Sequence, residues 1–121
     1  MTESTLANIS HVHPSQLDDW LLAQSKSDTT PVLLDVREPW ELQLASVQPA
    51  NCLLVSISMM QLQARLSELA PETPIAILCH HGVRSMQVAR FLTNQGFSSV
   101  ANISGGIAAW ANDFDATVAK Y

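Results

Sequence analysis

The sequence predicts an α/β domain built on a central, mostly parallel sheet. Short apolar runs without polar alternation recur along the chain, as strands buried on both faces require. Segments with apolar residues at helical spacing separate them. The 121 residues suffice for one core and not for two. A chain of this length buries roughly two-thirds of its unfolded surface, so it needs neither a disulfide framework nor a structural metal to fold.

The elements follow in order. Pro14 to Gln24 opens with proline, favoured in a first helical turn where its missing N–H has no partner to lose. It then sets Leu17, Trp20 and Leu21 on one face of an amphipathic helix. The polar stretch Ser25 to Thr30 leads to Pro31-Val32-Leu33-Leu34-Asp35-Val36, a strand buried on both faces. Glu38-Pro39-Trp40-Glu41 reads as the first turn of a short helix, its acids complementing the N-terminal dipole. Cys52 to Ile57 gives a second strand, with Cys52 a buried member. Ser58 is placed to cap a helix carrying Leu62, Leu66 and Leu69, which Pro71 and Pro74 end. Ile75 to Leu78 is a third strand. After a polar turn, Arg84 to Gln95 carries Met86, Val88, Ala89, Phe91 and Leu92, and Gly96 closes that helix in a left-handed conformation. Ser98 to Ile103 is the last strand candidate, Gly105-Gly106 a tight turn, and Ile107 to Asn112 a short helix.

Charge and composition exclude several functions. Six Lys and Arg against eleven Asp and Glu give a net charge of −5, the wrong sign for a nucleic-acid partner. No apolar run approaches the ~20 residues of a membrane span, and Met1 to Ser10 has neither the basic start nor the apolar middle of a signal peptide. A cytoplasmic protein without a membrane partner is expected, monomeric or weakly dimeric. In a reducing compartment two cysteines, Cys52 and Cys79, point to a buried or a reactive thiol rather than a bridge.

In parallel α/β sheets, ligands bind beyond the carboxyl ends of the strands. Cys79-His80-His81-Gly82-Val83-Arg84-Ser85 lies there, between the strand ending at Leu78 and the helix beginning near Ser85. Backbone N–H groups in such a loop can converge on an anion, and the helix N-terminus adds partial positive charge. Gly82 permits a conformation other residues resist, Arg84 adds a permanent charge, and Ser85 can cap the helix or donate its hydroxyl to the loop. Each favours an ionised, nucleophilic Cys79. A lone cysteine at a strand end is usually packing; the Gly, Arg and Ser around this one mark it as a site.

These residues resemble the active-site loop of the rhodanese family, sulfurtransferases whose loop starts with the catalytic cysteine and runs into a helix. Leu34-Asp35-Val36-Arg37-Glu38-Pro39-Trp40-Glu41 resembles the family's N-terminal signature, and Gly105-Gly106-Ile107-Ala108-Ala109-Trp110 its C-terminal one. The resemblance implies a single rhodanese-like domain with a core over about residues 9–112, a short flexible N-terminus and a C-terminal tail. Its five-stranded, mostly parallel sheet would carry helices on both faces. It implies that Cys79 takes a sulfane sulfur from a small-molecule or protein donor such as thiosulfate. The sulfur would then pass, as a persulfide, to a thiol or cyanide, with His80 to Ser85 cradling substrate and no cofactor beyond the persulfide. Cysteine phosphatases of similar fold place five residues between Cys and Arg, whereas only four separate Cys79 from Arg84, a ring better suited to sulfur than to phosphate; phosphatase or arsenate reductase chemistry ranks far behind. A non-catalytic binding module and a cysteine redox sensor are the rivals from other classes.

Other residues read as structural. His80 and His81 form loop wall, since attack by an ionised thiol needs no base. His11 and His13 are read as a surface pair rather than zinc ligands, because no metal-binding spacing accompanies them. Asp35 and Arg37, at the carboxyl end of another strand, either orient the loop or contact substrate, or fix the sheet edge as an ion pair, the latter favoured. Trp110 reads as packing. Cys52 starts its strand and Cys79 ends its own, roughly 15 Å apart on parallel strands, beyond the reach of about 7 Å that a disulfide allows. Before Cys52, the family's glycine-containing turn is replaced by Ser46-Val47-Gln48-Pro49-Ala50-Asn51, and no pocket detail is carried over from it.

Overall fold

Among the residues described by the computed structural model, 9–24 and 29–121, five strands form one sheet. They are β1 (Ile9–Val12), β2 (Val32–Asp35), β3 (Leu53–Ser56), β4 (Ile75–Leu78) and β5 (Val100–Ile103), in the spatial order β1-β5-β4-β2-β3. Every pairing is parallel, so the expected mostly parallel sheet is parallel throughout. β1 joins it by pairing Ile9 to Val12 with Val100 to Ile103. The anticipated flexible start, residues 1–8, and residues 25–28 of the polar stretch lie outside the described residues.

Alternation along the central strands divides the core into two layers. Val32, Leu34, Ile75, Ile77 and Val100 face one side, where Val88, Ala89 and Leu92 of helix α3 (Val83–Asn94) cover them. Leu33, Ala76, Leu78, Ala101 and Ile103 face the other, against Leu17 and Leu21 of α1 (Leu17–Ala23) and against Ile107, Trp110 and Ala111. Trp110 is thus core packing. β2, β4 and β5 are buried at all four residues, which is why their sequences lack alternation.

The helices follow local chemistry. A 3₁₀ turn, Pro14–Gln16, leads into α1, with His13 as its cap. α2 (Pro39–Leu44) begins with proline, and Glu41 closes a capping box by accepting the Glu38 N–H at 3.0 Å. Gly96 takes φ +94° after α3, as the helix end requires. Gly106–Ala109 forms α4, and a π-helical turn, Trp110–Phe114, continues it.

Three expectations are corrected. The segment from Ser58 to Leu69 is not one α-helix but two 3₁₀ turns, Met59–Gln61 and Leu66–Glu68. It must run from the edge strand β3 back across β2 to β4, and a 3₁₀ turn rises about 2.0 Å per residue against about 1.5 Å in an α-helix. Leu62 and Leu69 still reach the core. Cys52 is not a buried strand residue: it is half-buried and precedes β3, an edge strand whose Leu53 and Leu54 are exposed. The turn before it is closed by Asn51 at φ +68°, a left-handed position that asparagine tolerates. Finally, the C-terminal tail is not free of the core, because Val118 is buried in the Trp110 layer and Tyr121 bonds to side chains at the sheet edge.

Candidate functional site

From β2 the chain continues outward to β3, and from β4 it continues to β5 on the opposite side. Connections that diverge in this way open a crevice at the carboxyl ends of the two strands. Asp35 pairs with Leu78 in register, so Arg37 and Cys79 leave the same edge side by side.

Cys79 is the first residue beyond β4 and is 1% exposed. The Gly82 N–H donates to its Sγ at 3.0 Å, and Sγ lies 3.2 Å from the Ser85 hydroxyl. Gly82, at φ +101°, is the N-cap of α3, so a twelve-residue helix begins at the thiol. A side chain at Gly82 would be strained by that angle and would crowd the Gly105 backbone. Ser85 is therefore not the cap; it lies in the first turn, fully buried, and donates to Oδ1 of Asn102 on β5. The Asn102 amide in turn donates to the Gly82 carbonyl at 3.3 Å.

The Gly105-Gly106 turn braces the loop from the other side. Ile107 N–H donates to the Cys79 carbonyl at 2.8 Å and Ala108 N–H to that of His80 at 3.0 Å. A Cβ on Gly106 would overlap both carbonyl oxygens, so only glycine lets this turn approach.

Arg84 points toward α2, where Nη1 and Nη2 donate to the two carboxylate oxygens of Glu41 at 2.6 and 2.9 Å. The pairing raises the Arg84 pKa, with the Cys79 charge a smaller contributor. It also lowers Glu41 to about 2, the Arg84 hydrogen bonds outweighing burial. Arg37 and Asp35, both 1% exposed, form an ion pair at 2.7 Å. Arg37 also donates to the Ala45 carbonyl at 2.9 Å and to the Tyr121 hydroxyl at 3.1 Å. Tyr121 donates to Glu41 at 2.7 Å, completing a charged network beside the thiol loop. Its ring stacks on His80 at 3.9 Å, and His80 stacks on His81 at 3.9 Å. Burial, with His81 next to it, lowers the His80 pKa.

Cys79, Gly82 and Ser85 thus share one set of contacts, while Val83 is exposed and His81 projects outward. Asp35 and Arg37 hold the sheet edge. The remaining histidines are elsewhere: His11 is exposed on β1, and His13 bonds to Ser15 and Asp113. Among the described residues no group of three or more His, Cys, Asp or Glu is placed to hold a metal. Both cysteines are free thiols, and burial raises the Cys52 pKa. No helix among the described residues is long and apolar enough to cross a membrane.

Sequence reasoning missed Asn102 and Tyr121, and assigned Glu41 only to its helix. Asn102 carried a signal, a polar amide inside the apolar run Val100 to Ile103. Glu41 and Tyr121 carried none for their long-range contacts.

Fold and site together define a parallel α/β domain with a cysteine-centred loop at the N-terminus of a helix. The chain belongs to the rhodanese-like domain family, whose model matches residues 17–113. It is 35% identical over 98 residues to a sulfurtransferase of Allochromatium vinosum, covering 80% of this chain and 88% of the relative. It is 36% identical to the thiosulfate sulfurtransferase GlpE of Vibrio cholerae, covering 64% of this chain and 70% of that one. The fold is similar to that of a rhodanese-related protein from Thermoplasma volcanium. There the TM-score is 0.67 at 28% identity, over 87% of this chain and 93% of the other.

Proposed function

We propose that the protein is a rhodanese-type sulfurtransferase with Cys79 as nucleophile and sulfur carrier. The observation that carries this reading is the placement of Sγ at the N-terminus of α3, 3.0 Å from the Gly82 N–H. A backbone donor there serves the thiolate, the persulfide and an anionic donor alike. Relatives named sulfurtransferases support the same chemistry.

The Cys79 thiolate attacks the outer sulfur of thiosulfate, forming Cys–S–S⁻ while the old S–S bond breaks and sulfite leaves with the electron pair. A thiolate or cyanide then attacks the outer sulfur, leaving with it as a persulfide or thiocyanate and restoring the Cys79 thiolate. No cofactor enters. His80 to Ser85 form the cradle, in which Arg84, its guanidinium fixed by Glu41, supplies lasting positive charge near the sulfur. The four-residue spacing between Cys79 and Arg84 favours a sulfur atom over a phosphate.

Intact-protein mass spectrometry tests this directly. After incubation with thiosulfate the wild type and Cys52→Ser gain one sulfur, cyanide or a thiol removes it, and Cys79→Ser gains none. A folded wild type that gains no sulfur, or a gain that survives Cys79→Ser, rejects the assignment. Sulfenic acid or a disulfide as the main product under mild peroxide would then favour a redox sensor.

A further inference from the structure

Three buried side chains and the half-buried Gly82 peptide close a ring of hydrogen bonds around Cys79. The Sγ–H donates to Ser85 Oγ, Ser85 donates to Asn102 Oδ1, the Asn102 amide donates to the Gly82 carbonyl, and the Gly82 N–H returns to Sγ. The direction of this ring is not free. A carbonyl only accepts, so Gly82 must face the NH₂ end of Asn102. That leaves Oδ1 toward Ser85, which has one hydrogen and gives it to Asn102. Ser85 therefore presents lone pairs to the sulfur, and Cys79 is satisfied as a thiol. When the thiol proton leaves to solvent, those lone pairs face an anion. Ser85 must then turn its hydroxyl from Asn102 to Sγ, and Oδ1 loses its partner in a site where Asn102 is 6% exposed.

We propose that Asn102 is a positioning residue that sets the charge state of Cys79 through Ser85. It claims the Ser85 hydrogen, so the site becomes a two-donor anion cradle only when Ser85 turns. The proposal rests on Cys79 being the reactive thiol. Its test uses no sulfur donor, so it can fail or pass independently of sulfur transfer.

The ultraviolet thiolate absorbance of Cys79 is followed against pH in the Cys52→Ser protein, with Cys79→Ser subtracted. Asn102→Leu removes the acceptor that holds the Ser85 hydrogen and frees the hydroxyl to turn to the sulfur, so the midpoint moves to lower pH by about one unit. At a pH below both midpoints that is about tenfold more thiolate. The other charged or titratable groups around the site are unchanged by the substitution. They are His80 and His81 in the loop, Arg84 on α3, Glu41 on α2, Asp35 and Arg37 after β2, Tyr121, and His11 and Arg90, which line a groove with Asn102. In a Ser85→Ala background, Asn102→Leu moves the midpoint no further. Asn102→Ala makes the same prediction without adding apolar bulk and serves if the leucine variant does not fold. A midpoint unmoved in a folded Asn102 variant, or the same shift without Ser85, overturns the proposal.

Discussion

The loops after β2 and after β4 leave the sheet side by side, yet they are held by opposite chemistry. The first is a charged network, in which Asp35, Arg37, Glu41, Arg84 and Tyr121 share ion pairs and charge-assisted hydrogen bonds. The second is a neutral ring of thiol, hydroxyl, amide and peptide. Displacing Asp35, Arg37 or Arg84 leaves a buried partner charge uncompensated, so that network has one arrangement. Turning the hydroxyl in the second exchanges its bond to Oδ1 for a charge-assisted bond to the ionised sulfur, so that ring has two. The difference assigns the parts: charge builds the support, and neutral groups hold the sulfur proposed as nucleophile. The Arg84–Glu41 pair is the bracket between them, since Arg84 belongs to the helix that begins at the thiol and Glu41 to the support.

Removing a charge from the support gives the largest expected effect. Arg37→Leu strands the Asp35 carboxylate, 1% exposed, and leaves the Ala45 carbonyl without this donor. Loss of one partner from a buried pair lowers unfolding free energy by about 3–5 kcal/mol, to be read from denaturant midpoints. A loss below about 1 kcal/mol would mean that the support is no more rigid than the ring. Next in size is Glu41→Gln. The folded-state pKa of Glu41 is depressed from 4.5 to about 2, so its contribution to stability is complete above the unfolded value and disappears as pH falls toward 2. At neutral pH, Glu41→Gln is expected to be less stable than wild type by on the order of 2–3 kcal/mol. The gap closes between about pH 4.5 and 2, because the wild type loses what the glutamine variant never had. Acid unfolding curves of the two proteins check the convergence; a gap that persists at pH 2 assigns the effect to packing instead.

The same contrast explains what the sequence makes legible. The neutral ring is local except for Asn102 on β5: Cys79, Gly82 and Ser85 fall within seven residues, and helix N-terminus, glycine and thiol each have a chemical reason to be there. The central strands are equally readable, because burial on both faces suppresses alternation at Val32 to Asp35 and Ile75 to Leu78. The charged support is assembled from distant segments. Glu41 meets Arg84 across 43 positions and Tyr121 across 80, and no periodicity encodes such contacts. Asp35 and Arg37 were readable as an edge ion pair because they are two residues apart at a strand end. The run Leu62, Leu66 and Leu69 announces burial but not the kind of turn, since apolar spacing of three and four is shared by an α-helix and by successive 3₁₀ turns.

The smallest effects separate the two functions of Tyr121, which touches the support through its hydroxyl and the thiol loop through its ring. Tyr121→Phe removes the hydrogen bonds to Glu41 and Arg37 but keeps the stack on His80, and is expected to lower stability by about 1 kcal/mol. His80 stays covered in that variant, so its pKa remains depressed, because burial is the leading cause of the depression. Tyr121→Ala removes the ring as well and opens His80 to water, and its pKa then rises toward the ordinary histidine value, with neighbouring His81 still opposing the charge. Proton NMR titration of His80 in the two variants reads this directly. If the phenylalanine variant moves His80 as far as the alanine variant does, the hydroxyl contacts and not the stacked ring hold the loop wall. The support would then govern the thiol loop through hydrogen bonds alone.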